Sequence, residues 1–228
     1  MDIPHHPGFC ARLTLLLACA LASSAATAAT QTYALDPVHT RVLFAISHAG
    51  FSQAMGTVSG STGLVEFDPD DWASARVEVS VPLDRVDLGD AAWNKAVLAG
   101  NLLDAADHPQ ARFVSTRVVA HDATHAEVLG ELTLHGVTRP VTLMVTFNQL
   151  KHHPLPPFRR TAGFSATATI SRAAFGITAW KSVIGDTVQL TIQAEATRSR
   201  EDFDDAVPAS DASAPATTAP SFQDPATP

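Results

Sequence analysis

Histidine and aspartate are the residues of this sequence that could bind a metal or transfer protons. His39 and His48 stand at the two ends of one apolar, alternating segment. On a straight extended chain they would lie about 30 Å apart, at roughly 3.3 Å per residue, with their side chains on opposite faces. They therefore cannot bind one ion together if this segment is a straight strand.

The other candidates for chemistry have simpler structural explanations. The acidic run at 68–71 lacks the loop glycine and the closing glutamate of an EF-hand, so we interpret it as a turn. His135 precedes a glycine in a predicted turn, and the histidines at 152–153 lie in a proline-rich loop. No Gly-x-Ser-x-Gly, phosphate-loop, His-Glu-x-x-His or zinc pattern occurs. We expect no catalytic residue and no metal site.

The N-terminal segment has the composition of a secretory signal peptide over residues 1–28. Arg12 precedes an apolar run that passes into small residues ending at Ala28. The run is shorter than the roughly 20 apolar residues of a spanning helix. The sequence thus predicts export and cleavage after Ala28 or one residue later, which would remove both cysteines. Lipoprotein processing that retains Cys19 is the alternative.

The C-terminal segment, residues 201–228, predicts a disordered acidic tail rich in Ala and Pro. It contains six acidic residues and no Lys or Arg, whereas the whole chain has a formal net charge of -8. Such a composition offers too little apolar area to offset the entropy of ordering. One near-neutral domain over residues 30–200 remains. It has no basic face for nucleic acid and no polybasic run for anionic membranes.

The middle of the chain alternates between apolar and polar residues, which is typical of antiparallel strands with one buried face. Val42, Phe44, Ile46 and His48 share one face of the first clear strand, and the apolar residues of 75–81 do the same. About eight strands in such a length fit a closed barrel or a sandwich. The other predicted strands span 112–119, 127–135, 139–147, 163–170 and 187–196.

One helical segment interrupts the strands. Residues 91–103 pair Trp93 with Val97, and Leu98 with Leu102, at i,i+4 spacing, with Asp90 as the N-cap. The helix either covers an opening of the barrel or packs outside it. An eight-stranded barrel has room for its own side chains or for one small ligand. Small residues that favour a cavity are Ala45, Gly56, Ser165, Ala166 and Ala168.

Five ordered motifs across residues 33–196 together resemble the YceI-like family. The most specific is GELTLHGVTRPV at 130–141. The others are YALDPVHT at 33–40 with the strand after it, GLVEFD at 63–68, HPQARFVST at 108–116, and ISR at 170–172 with FGI at 175–177 and GDTV at 185–188.

The resemblance implies a lipocalin-like antiparallel barrel that is exported to the periplasm and binds a polyisoprenoid or related lipid, such as a quinone. It implies no cofactor besides such a lipid. Transient contact of the protein with a membrane and assembly into a homodimer are both compatible with it. The family often has Arg-Asp-x-His-Leu and an aromatic pair near the helix. Here residues 94–98 read NKAVL and lead to Leu102 and Leu103, so we expect a reshaped pocket entrance. The alternative function is a stress-response or redox accessory module that acts through a protein partner.

Alternate residues of a strand face the interior of a barrel, and this alternation, together with the position of each residue in the motifs, predicts which residues contact the ligand. We expect Phe44, Ile46, Phe113, Leu132, Leu134, Phe164 and Phe175 to line the interior. For the polar end of the ligand we expect Arg172, His48, Trp180 and Lys181, since the planar guanidinium binds carboxylate and phosphate equally well. For Arg172 an ion pair with Asp186 is the structural alternative.

Overall fold

A computed structural model describes residues 30–201 and residue 203. The predicted signal peptide, Cys19 and most of the predicted tail lie outside the described residues. The first six strands are β1 (Gln31–Leu35), β2 (Arg41–His48), β3 (Ser52–Val58), β4 (Thr62–Phe67), β5 (Arg76–Pro82) and β6 (Val86–Asp87). After the helix α1 (Ala91–Val97) come β7 (Gln110–Ala120), β8 (His125–Leu134), β9 (Val137–His152), β10 (Arg160–Ser171) and β11 (Ile184–Arg198).

These strands form a closed antiparallel barrel of eight strand positions, which confirms the predicted fold class. The first three positions are each built from an interrupted strand. β1 and β2 both pair with β11, β1 near its C-terminal end and β2 along its N-terminal half. The second position consists of β4, which pairs with β1, and β3, which pairs with β2. The third consists of β5, which pairs with β4, and β6, which pairs with β3. The pairing of β1 with β11 closes the sheet, so the barrel has no free edge along that seam.

Alternation along the strands separates the two faces of the wall. On β5 the valines at 77, 79 and 81 face the interior. The intervening Glu78 faces outward and accepts a hydrogen bond from Arg112 Nε on β7 at 2.9 Å. Cross-strand pairs of this kind stabilise neighbouring strands of a sheet.

The helix is shorter than predicted. Asp90 caps it as expected, because its carboxylate accepts hydrogen bonds from the backbone N–H of Ala92 at 2.9 Å and of Trp93 at 3.0 Å. The prediction is wrong beyond Val97, where the chain turns back and the N–H of Leu103 donates to the Val97 carbonyl at 3.0 Å. Tight turns therefore bring the later leucines to the same side as the helix. Among the described residues, no helix has the length and apolarity to cross a bilayer.

Candidate ligand-binding site

The barrel encloses an elongated cavity of about 650 Å³. Its wall is almost entirely aliphatic and aromatic. Small-molecule sites typically measure about 300–1,000 Å³ and carry only a few polar groups among apolar ones. The polar side chains that border it are Thr40, Ser47, His48, Ser61, Asn101 and Arg172.

Two glycines widen the middle of the cavity by letting phenyl rings lie flat on the wall. Gly56 stands opposite Phe44 in the β2–β3 register, and a Cβ on Gly56 would come within 2.5 Å of the Phe44 ring. A Cβ on Gly130 of β8 would likewise collide with the ring of Phe113, although Gly130 stands opposite Ser115 in the β7–β8 register. Because neither glycine has a side chain, each ring occupies space beside the backbone and leaves the centre of the barrel open.

One end of the barrel, which we call the blind end, is closed by packed aromatic rings. The Phe67 ring centroid lies 5.1 Å from Trp72, 5.0 Å from Phe147 and 5.2 Å from Phe164. Phe67 is 2% exposed and Trp72 is 6% exposed. These separations suit tilted and edge-to-face contacts, so the cluster both seals and stabilises this end.

The opposite end, which we call the mouth, is open. Trp93 on α1 and Trp180 in the β10–β11 loop both border the cavity, yet they are 45% and 62% exposed. The His48 and Trp93 rings lie 5.3 Å apart across the mouth. The helix and the turns after it line the cavity through Ala96, Val97, Leu102 and Leu103. The helix thus covers part of the opening, which is one of the two positions that the sequence left open.

Arg172 holds the β10–β11 loop together from inside. It is 5% exposed. Its Nε, Nη1 and Nη2 donate hydrogen bonds to the carbonyls of Gly185 at 2.8 Å, Ile177 at 2.9 Å and Ile184 at 2.9 Å. The expected partner Asp186 instead accepts from the backbone N–H of Ala173 at 2.8 Å. The alternative of an ion pair between Arg172 and Asp186 is therefore wrong. The Arg172 guanidinium binds backbone carbonyls instead.

Nine of the eleven predicted ligand-contact residues lie on the cavity wall. Ligand contact by them stays a prediction. Lys181 is exposed at the mouth, and Phe175 is 1% exposed and off the wall. Phe175 is the last residue of a 3-10 turn that breaks the strand alternation, and its ring packs in a core cluster with Leu134 and Ile170, which do line the cavity. The nine are Phe44, Ile46, His48, Phe113, Leu132, Leu134, Phe164, Arg172 and Trp180.

Of the small residues that favoured a cavity, only Ala166 borders it. Ala45 alternates with Phe44 and Ile46 and so faces outward, and Ser165 donates from Oγ to Gln193 Oε1 at 2.8 Å. Ala168 is buried but off the wall. Gly56, which was also predicted to favour a cavity, adds space indirectly, because it and Gly130 lie beneath phenyl rings of the wall.

Asp36 and His39, two titratable residues with displaced pKa values, lie away from the cavity. Although burial opposes it, hydrogen bonds from the His39 side chain and from the N–H of Val38 and His39 lower the pKa of Asp36. The hydrogen bond with Asp36 raises the pKa of His39. Within residues 30–201 and 203, no three His, Cys, Asp or Glu side chains come close enough to hold a metal ion.

A closed eight-stranded antiparallel barrel with an apolar interior defines a lipocalin-like protein. Residues 33–196 match the model of the YceI-like domain, and the chain belongs to this family.

Sequence relatives match across most of their own length. The chain is 36% identical over 139 residues to the UPF0312 protein of Pseudomonas savastanoi pv. phaseolicola, covering 61% of this chain and 71% of that protein. It is 33% identical over 186 residues to the UPF0312 protein of Ectopseudomonas mendocina, covering 81% and 95% respectively.

Solved structures share the fold. Burkholderia cenocepacia BcnA matches with a TM-score of 0.64 and 28% identity, over 72% of this chain and 99% of that one. A polyisoprenoid binding domain from Saccharophagus degradans, implicated in plant cell wall breakdown, matches with a TM-score of 0.57 and 16% identity, over 74% and 99% respectively. At that identity the likeness to the Saccharophagus domain is one of fold.

Proposed function

We propose that this protein is an exported carrier that holds one long apolar lipid of isoprenoid type, polyprenyl or quinone-like, inside the barrel for storage or transport. The observation that carries the proposal is the continuous apolar cavity from the blind end to the mouth. We further propose that it is a binding protein without catalytic activity.

The shape and chemistry of the cavity support an elongated hydrocarbon ligand. A compact polar ligand would leave most of the apolar wall uncovered and would lose its own hydration. A long flexible chain can follow the wall from Phe164 near the blind end to Trp180 at the mouth. The Saccharophagus domain of the same fold is a polyisoprenoid binding domain, and the apolar cavity described above suits the same class of ligand.

The energetics of transfer suit a carrier. Each methylene that leaves water contributes about 0.8 kcal/mol, but a lipid that leaves a bilayer is already out of water. Transfer from a bilayer into the dry barrel is therefore nearly neutral. The protein could accept and release lipid without trapping it, with affinity set by chain length and by the few polar groups at the mouth.

Mass spectrometry of an organic extract tests the proposal directly. Natively purified protein is expected to release a stoichiometric isoprenoid lipid. In Ala166→Phe a ring enters the cavity from β10, so the lipid content per folded molecule should fall strongly. Thr167→Phe is the matched control, because Thr167 is the exposed next residue of the same strand. An empty wild-type protein, or equal lipid in both variants, would contradict the carrier function.

Export to the periplasm is a separate part of the proposal. The apolar segment that ends at Ala28 supports it. Fractionation of native cells should place the protein in the periplasm, and its N-terminal sequence should begin at residue 29 or 30. A mature protein that begins at Cys19 would support the lipoprotein alternative instead.

A further inference from the structure

Three large aromatic side chains are exposed at the mouth, on three separate segments of the chain. Phe51 follows the β2–β3 turn, Trp93 lies on α1, and Trp180 lies in the β10–β11 loop. They are 92%, 45% and 62% exposed, respectively. Exposed aromatic groups that lie together usually mark an interaction surface, whereas isolated ones need no explanation.

Backbone and ring contacts join these segments into one rim. The N–H of Ala49 in the β2–β3 turn donates to the carbonyl of Val183 at 2.5 Å, which ties the turn of Phe51 to the loop of Trp180. His48, at the start of the same turn, packs against Trp93 with its ring tilted by 41° to the indole. The three aromatic residues are therefore parts of one structure, which we call the aromatic rim.

The backbone holds the Trp180 indole outward at a conformational cost. Trp180 has a φ of 56°, a left-handed value that is rare for a bulky residue. Hydrogen bonds from the N–H groups of Val183 and Ile184 to the Trp180 carbonyl, both 2.8 Å, hold this conformation. The exposed position of the ring is thus built into the loop.

We propose that the aromatic rim, formed by Phe51, Trp93 and Trp180, docks the mouth of the barrel on the surface of a lipid bilayer; the inference rests on the carrier function proposed above. Trp93 and Trp180 border the cavity and also face outward, so the apolar surface is continuous from the rim into the barrel. A lipid that passes between a bilayer and the cavity would then stay out of water throughout.

Tryptophan next to lysine favours a bilayer as the occupant of the rim. Lys95 and Lys181 follow Trp93 and Trp180 closely in the sequence, and exposed Asp90 and Asp186 lie at the same end, so the charges around the rim are mixed. Tryptophan with a neighbouring lysine suits a membrane surface, where the ring lies at headgroup depth and the ammonium reaches lipid phosphates. The described chain starts at β1 and leaves β11 at the blind end, so the mouth faces away from both.

Flotation with phosphatidylcholine vesicles tests the docking. The mature protein is expected to float with the vesicles, and brominated phosphatidylcholine should quench part of its tryptophan emission, since Trp72 is buried at the far end. Phe51→Ser should weaken vesicle binding about tenfold or more, the factor associated with burying one phenyl side chain. Phe158→Ser is the control, because Phe158 is 57% exposed in the β9–β10 loop at the blind end.

Lipid loading from detergent separates this proposal from the carrier function. Phe51 does not border the cavity, so Phe51→Ser should take up detergent-solubilised lipid as the wild type does, yet exchange lipid with vesicles more slowly. Equal vesicle binding by the wild type and Phe51→Ser, or no flotation of the wild type, overturns the docking. A protein that takes up no lipid from detergent overturns the carrier function, whatever the vesicles show.

Discussion

The two ends of the barrel use aromatic residues in opposite ways. At the blind end, Phe67 packs against three rings and is almost fully buried. At the mouth, Phe51 and Trp180 stand mostly in solvent. The same residue types thus serve burial at one end and exposure at the other. The difference suggests that stability is concentrated at the blind end, whereas the mouth is left free for exchange with its surroundings.

Removal of a phenyl ring at each end gives the largest expected contrast. Phe67→Ala deletes the centre of the blind-end cluster and leaves a cavity, so it should lower the free energy of unfolding by about 3–5 kcal/mol. Phe51→Ala removes an exposed ring and should change stability by no more than about 0.5 kcal/mol. Denaturant unfolding of both variants measures the contrast. Equal losses would mean that the mouth is as tightly packed as the blind end.

Arg172 should be the exception at the mouth. Arg172→Met leaves one buried and two partly buried carbonyls without their donor, so the free energy of unfolding should fall by about 2–4 kcal/mol. The lipid content per folded molecule should stay unchanged. Arg139→Met is the control: Arg139 Nε donates to the Ala174 carbonyl at 3.1 Å, but the side chain is exposed and should matter much less. Loss of lipid at full stability would instead assign Arg172 to the ligand head group.

The barrel could be predicted from the sequence because alternation and strand parity act locally. Val42, Phe44, Ile46 and His48 were placed on one face, and all four border the cavity. Predictions were wrong where the chain leaves a regular strand or helix. Phe175 lies in a 3-10 turn, and the residues after Val97 form turns with helix-like spacing. Periodicity carries no information on such tight turns.

Long-range hydrogen bonding was the other part that the sequence did not reveal. The motif position of Arg172 suggested a charged partner, but a guanidinium can donate to any suitably placed carbonyl, and the β10–β11 loop together with the start of β11 supplies three. The wall residues Trp72, Trp93, Leu102 and Leu103 were also missed as site residues. For Trp93, Leu102 and Leu103 the one usable signal was the apolar face of the predicted helix, which becomes a cavity wall only once the helix is known to cover the mouth.

Phe203 in the C-terminal segment adds to the packing at the blind end. The expectation that residues after Arg200 offer nothing to pack is wrong for Phe203, which is 4% exposed and lies under the Arg76 guanidinium, 4.3 Å from the ring centroid. Truncation after Arg200 should therefore cost about 1–3 kcal/mol, and truncation after Asp205 should cost almost nothing. Thermal unfolding of both truncated proteins checks this. An equal effect of the two would show that Phe203 contributes no stability.

The smallest expected effect is a loss of stability at the mouth in acid. Hydrogen bonds from the Ser171 side chain and from the N–H of Ala173 lower the pKa of Asp186 below its ordinary 3.8. A carboxylate with a lowered folded pKa stabilises the fold above its unfolded pKa, and this contribution disappears as the pH falls through the lower folded pKa. The bond from Ala173 anchors the turn that carries Arg172. Below about pH 4 the mouth should therefore loosen before the blind end does.

Asp186→Asn isolates this effect. The stability difference between the wild type and the variant should be present at neutral pH and should shrink as the pH falls below about 4 and through the lowered pKa of Asp186, because the protonated Asp186 is then uncharged like the Asn of the variant. Over the same range, hydrogen exchange should show the Ala173 amide losing protection in the wild type, while amides of β4 beside Phe67 keep theirs. Asp186 is exposed, so solvent screening keeps the effect small. A difference that stays constant with pH would mean that Asp186 acts through its shape rather than its charge, and that acid does not weaken the mouth through this residue.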